Sequence, residues 1–544
     1  MDRLFCEHKL RKTKLLDGVW KFKTVDTAGV LKEIPEDAID MYVPSCWNLR
    51  LGYLTYHGLA WYFKEFECES ENIILSFGAV SQQAEVYLDG EHLGGHYGGY
   101  TEFRFDVSLK KGKHLLAVLT DSRADDETIP KDIADWYRYG GIYRSVELSE
   151  INDVFISRHK ISYELDDDTA EVTVETEVKS FSGKKPEKLT VKLDNKTVYS
   201  GDYSEKISFT AEKIKRWDVF KPNLYFVEIT VDDDDIIDRI GFREIKAEKG
   251  QFLINGKAIT IKGVNHHEDW PDFGHAVPKQ LMERDIDIIK DLGCNFIRGS
   301  HYPNSRAFVD YLDQNGILFW SEVPLWGAKA ETLSSEKIIK RGVNMHREMV
   351  EQYYNHPSIV LWGLHNEIDT RCEDARILTK KFADTIRAYD KSRPLTYATD
   401  RVLTDICLDL ADVISINKYI GWYGMDPKEW YGFMGDVEKK LKSAGVSGKP
   451  VVMGEFGAAA IYGYHTFDNI KWTEEYQANL LTTELELFKK TPFICGSFVW
   501  QFSDGRTSAQ GIDRARGFNN KGLVNEYRKP KLAYNAVKKI YTDE

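Results

Sequence analysis

Between residues 20 and 150, apolar and polar positions alternate in short runs broken by turns. ENIILSFGAV (71–80), QAEVYLDGEHLGG (83–95) and HLLAVLTDS (114–122) carry the two-residue period of half-buried strands, and Asp89-Gly90 is a hairpin turn pair. No convincing amphipathic helical period interrupts them, so residues 1–150 are expected to form a jelly-roll β-sandwich. Residues 151–244 repeat the alternation in AEVTVETEVKS (170–180), LTVKLDNKTVYS (189–200) and LYFVEITVDD (224–233), which by size predicts an immunoglobulin-like sandwich. The acidic run Asp232 to Asp235 reads as a solvated hairpin tip, because calcium loops need alternating ligands and a glycine at a set place.

From residue 245 to 544 the rhythm changes. Eight apolar runs follow: 258–269, 294–304, 317–326, 359–367, 395–400, 413–419, 451–458 and 494–504. Helical patterns such as PKQLMERDIDIIKDLG (278–293) lie between them, and each run is expected to lead into a helix. That is the grammar of a (β/α)8 TIM barrel. Each run starts apolar and ends polar, and barrel chemistry sits at strand C-termini, so the polar tips are the expected active site.

A net charge of −13 argues against nucleic acid or an anionic membrane as partner. No apolar run reaches 18 residues, so no membrane span is expected. The first twenty residues are charged throughout and lack the apolar core of a secretory signal. Seven scattered cysteines without a CxxC pair fit a reducing, bacterial-type cytoplasm, with neither a disulfide framework nor a zinc site.

Five carboxylates stand at run ends: Glu322, Glu367, Asp400, Glu455 and Asp504. An acid closing an apolar run is either hydrogen-bonded structure or chemistry, because burying it unpaired is costly. The fourth and seventh tips lie across a barrel mouth, where two carboxyls can flank one glycosidic bond as acid and nucleophile. NFIRGSHYPN (295–304) and NHPSIVLWGLHNE (355–367) resemble the two signatures of glycoside hydrolase family 2. The resemblance covers nearly the whole chain and implies Glu367 as acid/base and Glu455, in MGEFGA, as nucleophile of a retaining enzyme that needs no metal or other cofactor. It further implies that Asn366 and His301 hold the sugar, that Tyr419 donates to the nucleophile, and that Tyr423 and Trp500 form pocket wall. Relatives of this kind often assemble, so a homo-oligomer is possible.

Which sugar is taken depends on what meets its C5 substituent. Asn519-x-Lys521 is similar to the motif by which β-glucuronidases of the family hold the substrate carboxylate. DWYRYGGIYRSV (135–146), NKYIGWY (417–423) and SAQGI (508–512) resemble the same subgroup, and Asp135 matches a residue that reaches the pocket from the first domain. The expected activity is therefore retaining exo-β-D-glucuronidase acting on small glucuronides. The stretch from Ile512 to Asn519 is one residue longer than that pattern, so the assisting arginine aligns with either Arg514 or Arg516. An extra arginine there keeps β-galacturonide cleavage open as an activity. A β-galactosidase, or a carbohydrate-binding protein without catalysis, are the remaining alternatives. GAKAETLSSE (327–336) is short where some relatives carry a lid, which predicts an open leaving-group site.

Overall fold

A computed structural model describes residues 3–542 apart from 510 and 512. The first 150 residues build two large antiparallel sheets and a two-stranded one. One large sheet has six strands, with Leu59–Cys68 and Gly112–Asp121 at its centre, and the other has four, with Val146–Glu150 beside Asn72–Phe77. Trp20, Phe22, Trp47, Tyr62, Leu75 and Phe77 fill the space between them. The second block is again two antiparallel sheets, of three and four strands, closed over Val172, Val191, Val227 and Ile229.

Eight parallel strands then close a barrel: β1 (Ile261–His266), β2 (Phe296–Gly299), β3 (Leu318–Glu322), β4 (Ile359–Asn366), β5 (Leu395–Thr399), β6 (Val413–Asn417), β7 (Val451–Glu455) and β8 (Ile494–Val499). Every one is a run expected from the pattern. Helices α1 (Lys279–Asp291), α2 (Arg306–Asn315), α3 (Ala330–Leu333), α4 (Glu336–Tyr353), α5 (Glu373–Tyr389), α6 (Trp430–Ser443), α7 (Glu474–Lys490) and α8 (Leu532–Thr542) connect or follow them. Ser305, Ser335 and Thr473 cap α2, α4 and α7 by accepting a backbone N–H three residues on. A three-stranded sheet beginning at Ile245 packs Phe252 against Phe296 at the start of β2 and closes the barrel floor.

Two expectations need correction. β5 leads into no α-helix among the described residues; only a 3-10 turn, Leu408–Leu410, stands before β6. The carboxylate of Asp405 accepts from Tyr397 Oη, Thr370 Oγ1 and the Cys407 amide, so side-chain bonding organises this short loop in place of helical bonding. The acidic run is also no solvated tip beyond Asp233. Asp234 and Asp235 are buried; Asp234 takes a bidentate pair from Arg11, at 2.7 and 2.8 Å, and Asp235 accepts the amides of Lys9 and Leu10. These acids hold the N-terminal strap, and Arg3 extends it to Asp238 and to Asp310 in the barrel.

Candidate active site

Arg298 organises the barrel mouth. It is fully buried on β2, stacked 4.3 Å from the Trp320 ring centroid, and its donors reach the tips of four other strands. Nε and Nη2 form a fork with Glu322 (3.1 and 2.9 Å), Nη1 reaches Glu455 (2.8 Å) and Asn265 (3.2 Å), and Nη2 also reaches Asn366 Oδ1 (2.6 Å). One guanidinium thus sets the spacing of the tips of β1, β3, β4 and β7. Glu322 is consumed by this pairing and by His301 Nδ1 at 2.7 Å. With Glu322 ionised by its fork with Arg298, the hydrogen lies on Nδ1 and Nε2 of His301 is an acceptor. Burial, followed by the charge of Arg298, keeps His301 neutral by holding its pKa well below the ordinary value.

Of the five tip carboxylates, Glu367, Asp400 and Glu455 line one cavity of about 350 Å³, the low end of the range for small-molecule sites. Asp504 is structural, paired at 2.8 Å with buried Lys531. Glu367 follows β4 in the left-handed region (φ 53°), a conformation that non-glycine residues hold only where their surroundings impose it. Here its amide is bonded to the Ala398 carbonyl and its carboxyl to Asn417 Nδ2 (2.9 Å). Burial pushes its pKa up to about 8, with the charges of Glu455 and Asp400 acting the same way. Burial also raises Glu455, to about 7, opposed by Arg298 and by the Tyr419 hydroxyl, which donates to Glu455 at 2.8 Å. Glu455 accepts from a guanidinium and a phenol while Glu367 has only an amide. Glu367 is therefore raised further than Glu455 and is the carboxyl that keeps its proton when one of the pair ionises.

The far end of the cavity is cationic. Arg514 lines it, with Nε on Asp135 (2.7 Å) and both terminal nitrogens 3.4 Å from the Tyr423 hydroxyl. Lys521 is buried behind, donating to the same hydroxyl at 2.7 Å. Burial, with Arg514 nearby, lowers it to about 7. Asn519 donates to the other oxygen of Asp135 (2.7 Å), so the first domain's aspartate ties Arg514 to Asn519. Arg516 is elsewhere, held by Glu526 and Asn520. Of the two arginines, Arg514 borders the cavity and Arg516 does not. Within SAQGI, Gln510 and Ile512 lie outside the described residues.

Trp500 stacks on His301 (5.2 Å, 19°) and, with Tyr419 and Tyr423, borders the same cavity. Asn366 is buried just behind it. Three buried polar atoms here have no protein partner: Asn366 Nδ2, Asn417 Oδ1 and Trp500 Nε1. Buried polar atoms are normally satisfied, so this set is suited to a ligand rich in hydroxyls. Sequence reasoning had passed over Arg298, although a cation inside the apolar NFIRG run is itself a signal. It also passed over Asn417, Trp326 and Met425, whose places depend on how loops fold over the mouth.

Comparison with known proteins agrees in extent. Residues 13–151 match the sugar binding domain of glycosyl hydrolases family 2, residues 154–243 match a second domain of that family, and residues 245–543 match its TIM barrel domain. The β-glucuronidase of Paenibacillus borealis is 28% identical, over 96% of each chain, and that of Streptococcus agalactiae is 28% identical over 98% of this chain and 96% of its own. Among solved structures, a β-galacturonidase from Eisenbergiella tayi bound to galacturonate superposes with a TM-score of 0.93 at 36% identity, covering 99% of both chains. A β-glucuronidase from an uncultured Clostridium sp. superposes with a TM-score of 0.92 at 28% identity, over 99% of this chain and 100% of that one. With three consecutive domains matched and the barrel's β4 and β7 glutamates in one cavity, the chain belongs to glycosyl hydrolase family 2.

Proposed function

We propose that this glycoside hydrolase is a retaining exo-β-D-glucuronidase. The observation that carries the reading is charge placement: protonated Glu367 and ionised Glu455 at one part of the cavity, and Arg514 with Lys521 at another. Arg514 is already paired with Asp135 and Asp513, but a neutral hexose leaves Lys521 without an ionic partner, whereas a C5 carboxylate gives it one. In the first step Glu367 passes its proton to the glycosidic oxygen, the C1–O bond breaks, and Glu455 forms an ester to C1. The aglycone departs as its alcohol. In the second step the Glu367 carboxylate takes a proton from water, the water oxygen bonds to C1, and Glu455 leaves as carboxylate with the β-configuration kept. Asn366 Nδ2 serves the 2-hydroxyl, His301 Nε2 and Trp500 Nε1 serve ring hydroxyls, and Tyr419 steadies Glu455.

Asn519 acts through Asp135, and Tyr423 passes the charge of Lys521 to the cavity wall. Initial rates on 4-nitrophenyl β-D-glucuronide, galacturonide, glucoside and galactoside test this reading. Glucuronide is expected to lead, and preference for either neutral sugar refutes it. Galacturonide is the second reading, favoured by the 36% identity to the galacturonate-bound structure. Among the described residues no helix is long and apolar enough to cross a membrane. Unpaired cysteines support a cytoplasmic setting, and light scattering in solution will report whether copies associate.

A further inference from the structure

Glu367 must meet the leaving-group oxygen, so whatever adjoins Glu367 away from the sugar contacts the aglycone. Trp326 is there. Its backbone bridges to Asn366, the residue before the acid, and the Gly327 amide donates to the Asn366 carbonyl at 2.9 Å. The indole borders the cavity and is only partly buried, because the chain enters α3 at Ala330 and nothing longer folds over it. Its orientation is held from two sides by the first domain. Trp136 meets it edge to face (6.2 Å, 77°), and Lys131 sits 4.4 Å from the ring centroid, anchored by donation to the Gly327 carbonyl at 2.9 Å. Trp136 in turn contacts His301, which stacks on Trp500. An aromatic ledge therefore runs from the leaving-group end to the sugar end.

We propose that Trp326, with Lys131 fixing it, is the leaving-group subsite and selects planar aromatic aglycones over aliphatic ones. The inference rests on the glycosidase roles assigned to Glu367 and Glu455. A pre-oriented ring rewards a flat partner by offset stacking, a gain an alkyl group does not share. Both substrate types pass through the same glycosyl-enzyme, so the effect belongs to kcat/KM, which reports steps up to aglycone departure.

The test compares kcat/KM for phenyl and 2,2,2-trifluoroethyl β-D-glucuronide in wild type, Trp326→Ala, Trp326→Phe and Lys131→Met. The aryl-to-alkyl ratio is expected to fall about 5- to 10-fold in Trp326→Ala and about 2- to 5-fold in Lys131→Met, with Trp326→Phe recovering most of the loss. Lys131→Met keeps the backbone bridge to Asn366, so it still discriminates if Trp326→Ala folds poorly. An unchanged ratio in both variants overturns the subsite. So does a rise in the inhibition constant of free glucuronate as large as the loss on the aryl substrate, since Trp326 would then be supporting the sugar site. If wild type hydrolyses neither uronide, the uronide reading has failed, and the same ratio is measured on phenyl and trifluoroethyl glycosides of the sugar it does accept.

Discussion

Replacing Lys521 by Met removes the ammonium behind Tyr423 while keeping the apolar stem. Lys521 is 1% exposed and has no ion-pair partner among the described residues; its contacts are the Tyr423 hydroxyl and the faces of Tyr423, Tyr419 and Trp422. That setting lowers its pKa from 10.5 to about 7, a difference equivalent to roughly 5 kcal/mol of lost preference for the charged form. A substrate carboxylate brought beside it restores part of that preference. As a charge-assisted contact it is worth about 1.5–3 kcal/mol net, or roughly 10- to 150-fold in kcat/KM. The lysine must be charged to bind a uronate, so its contribution is present below its pKa and is lost as pH rises through about 7. The assay is kcat/KM against pH for 4-nitrophenyl glucuronide and glucoside, wild type beside Lys521→Met. The variant should lose glucuronide activity selectively, and its basic limb should move to higher pH, towards that of Glu367. Equal losses on both sugars, or an unmoved limb, would falsify the clamp.

Glu367→Gln should reduce kcat/KM by several orders of magnitude on poor leaving groups and much less on dinitrophenyl substrates, which need no protonation. In wild type, kcat/KM should fall as pH drops through about 7, where Glu455 takes up a proton, and as it rises through about 8, where Glu367 loses its own. Glu367→Gln should flatten the basic side; a variant that keeps it intact contradicts the assignment. Arg514→Ala should weaken glucuronide hydrolysis more than tenfold, whereas Arg516→Ala should change it by less than about threefold, since Arg516 is engaged with Glu526. Asp234→Ala leaves buried Arg11 uncompensated, costing about 3–5 kcal/mol and lowering the thermal midpoint by about 2–4 °C in a calorimeter, with kinetics preserved. EDTA should leave activity intact. Among the described residues the one carboxylate–imidazole group with ligand-like spacing, Asp310, Asp313 and His356, is already occupied by Arg3, the Ser358 amide and its own mutual contacts.

The barrel was legible because each strand is an apolar run with a polar end, and both properties follow from burial on two faces and a hydrogen-bonded polar mouth at one tip. The helix expected after β5 failed because Asp405 offers the loop three hydrogen bonds that apolar periodicity does not register. Asp234 and Asp235 were misread for a related reason. Four acids in a row look solvated until a strap from the other end of the chain brings Arg11 and two amides to them. Within the site, position and motif singled out Glu367 and Glu455, and the fold brings both to one cavity. Which arginine reaches Asp135 depends on the backbone of a loop one residue longer than its pattern, and Arg516 takes the left-handed conformation there (φ 65°). Trp326 carried no motif at all, and only the fold shows it bridged to the residue before the acid.

Covalent trapping identifies the nucleophile and the sugar together. Incubation with 2-deoxy-2-fluoro-β-D-glucuronyl fluoride should inactivate the enzyme with time and add one fluoroglucuronyl group, because the 2-fluorine slows both steps and the reactive leaving group restores the first. Peptide mass spectrometry should place that group on Glu455, and the neutral 2-fluoroglucosyl fluoride should inactivate far more slowly. Label on any other residue, no covalent adduct despite turnover of glucuronides, or equal inactivation by the two fluorides would contradict the account.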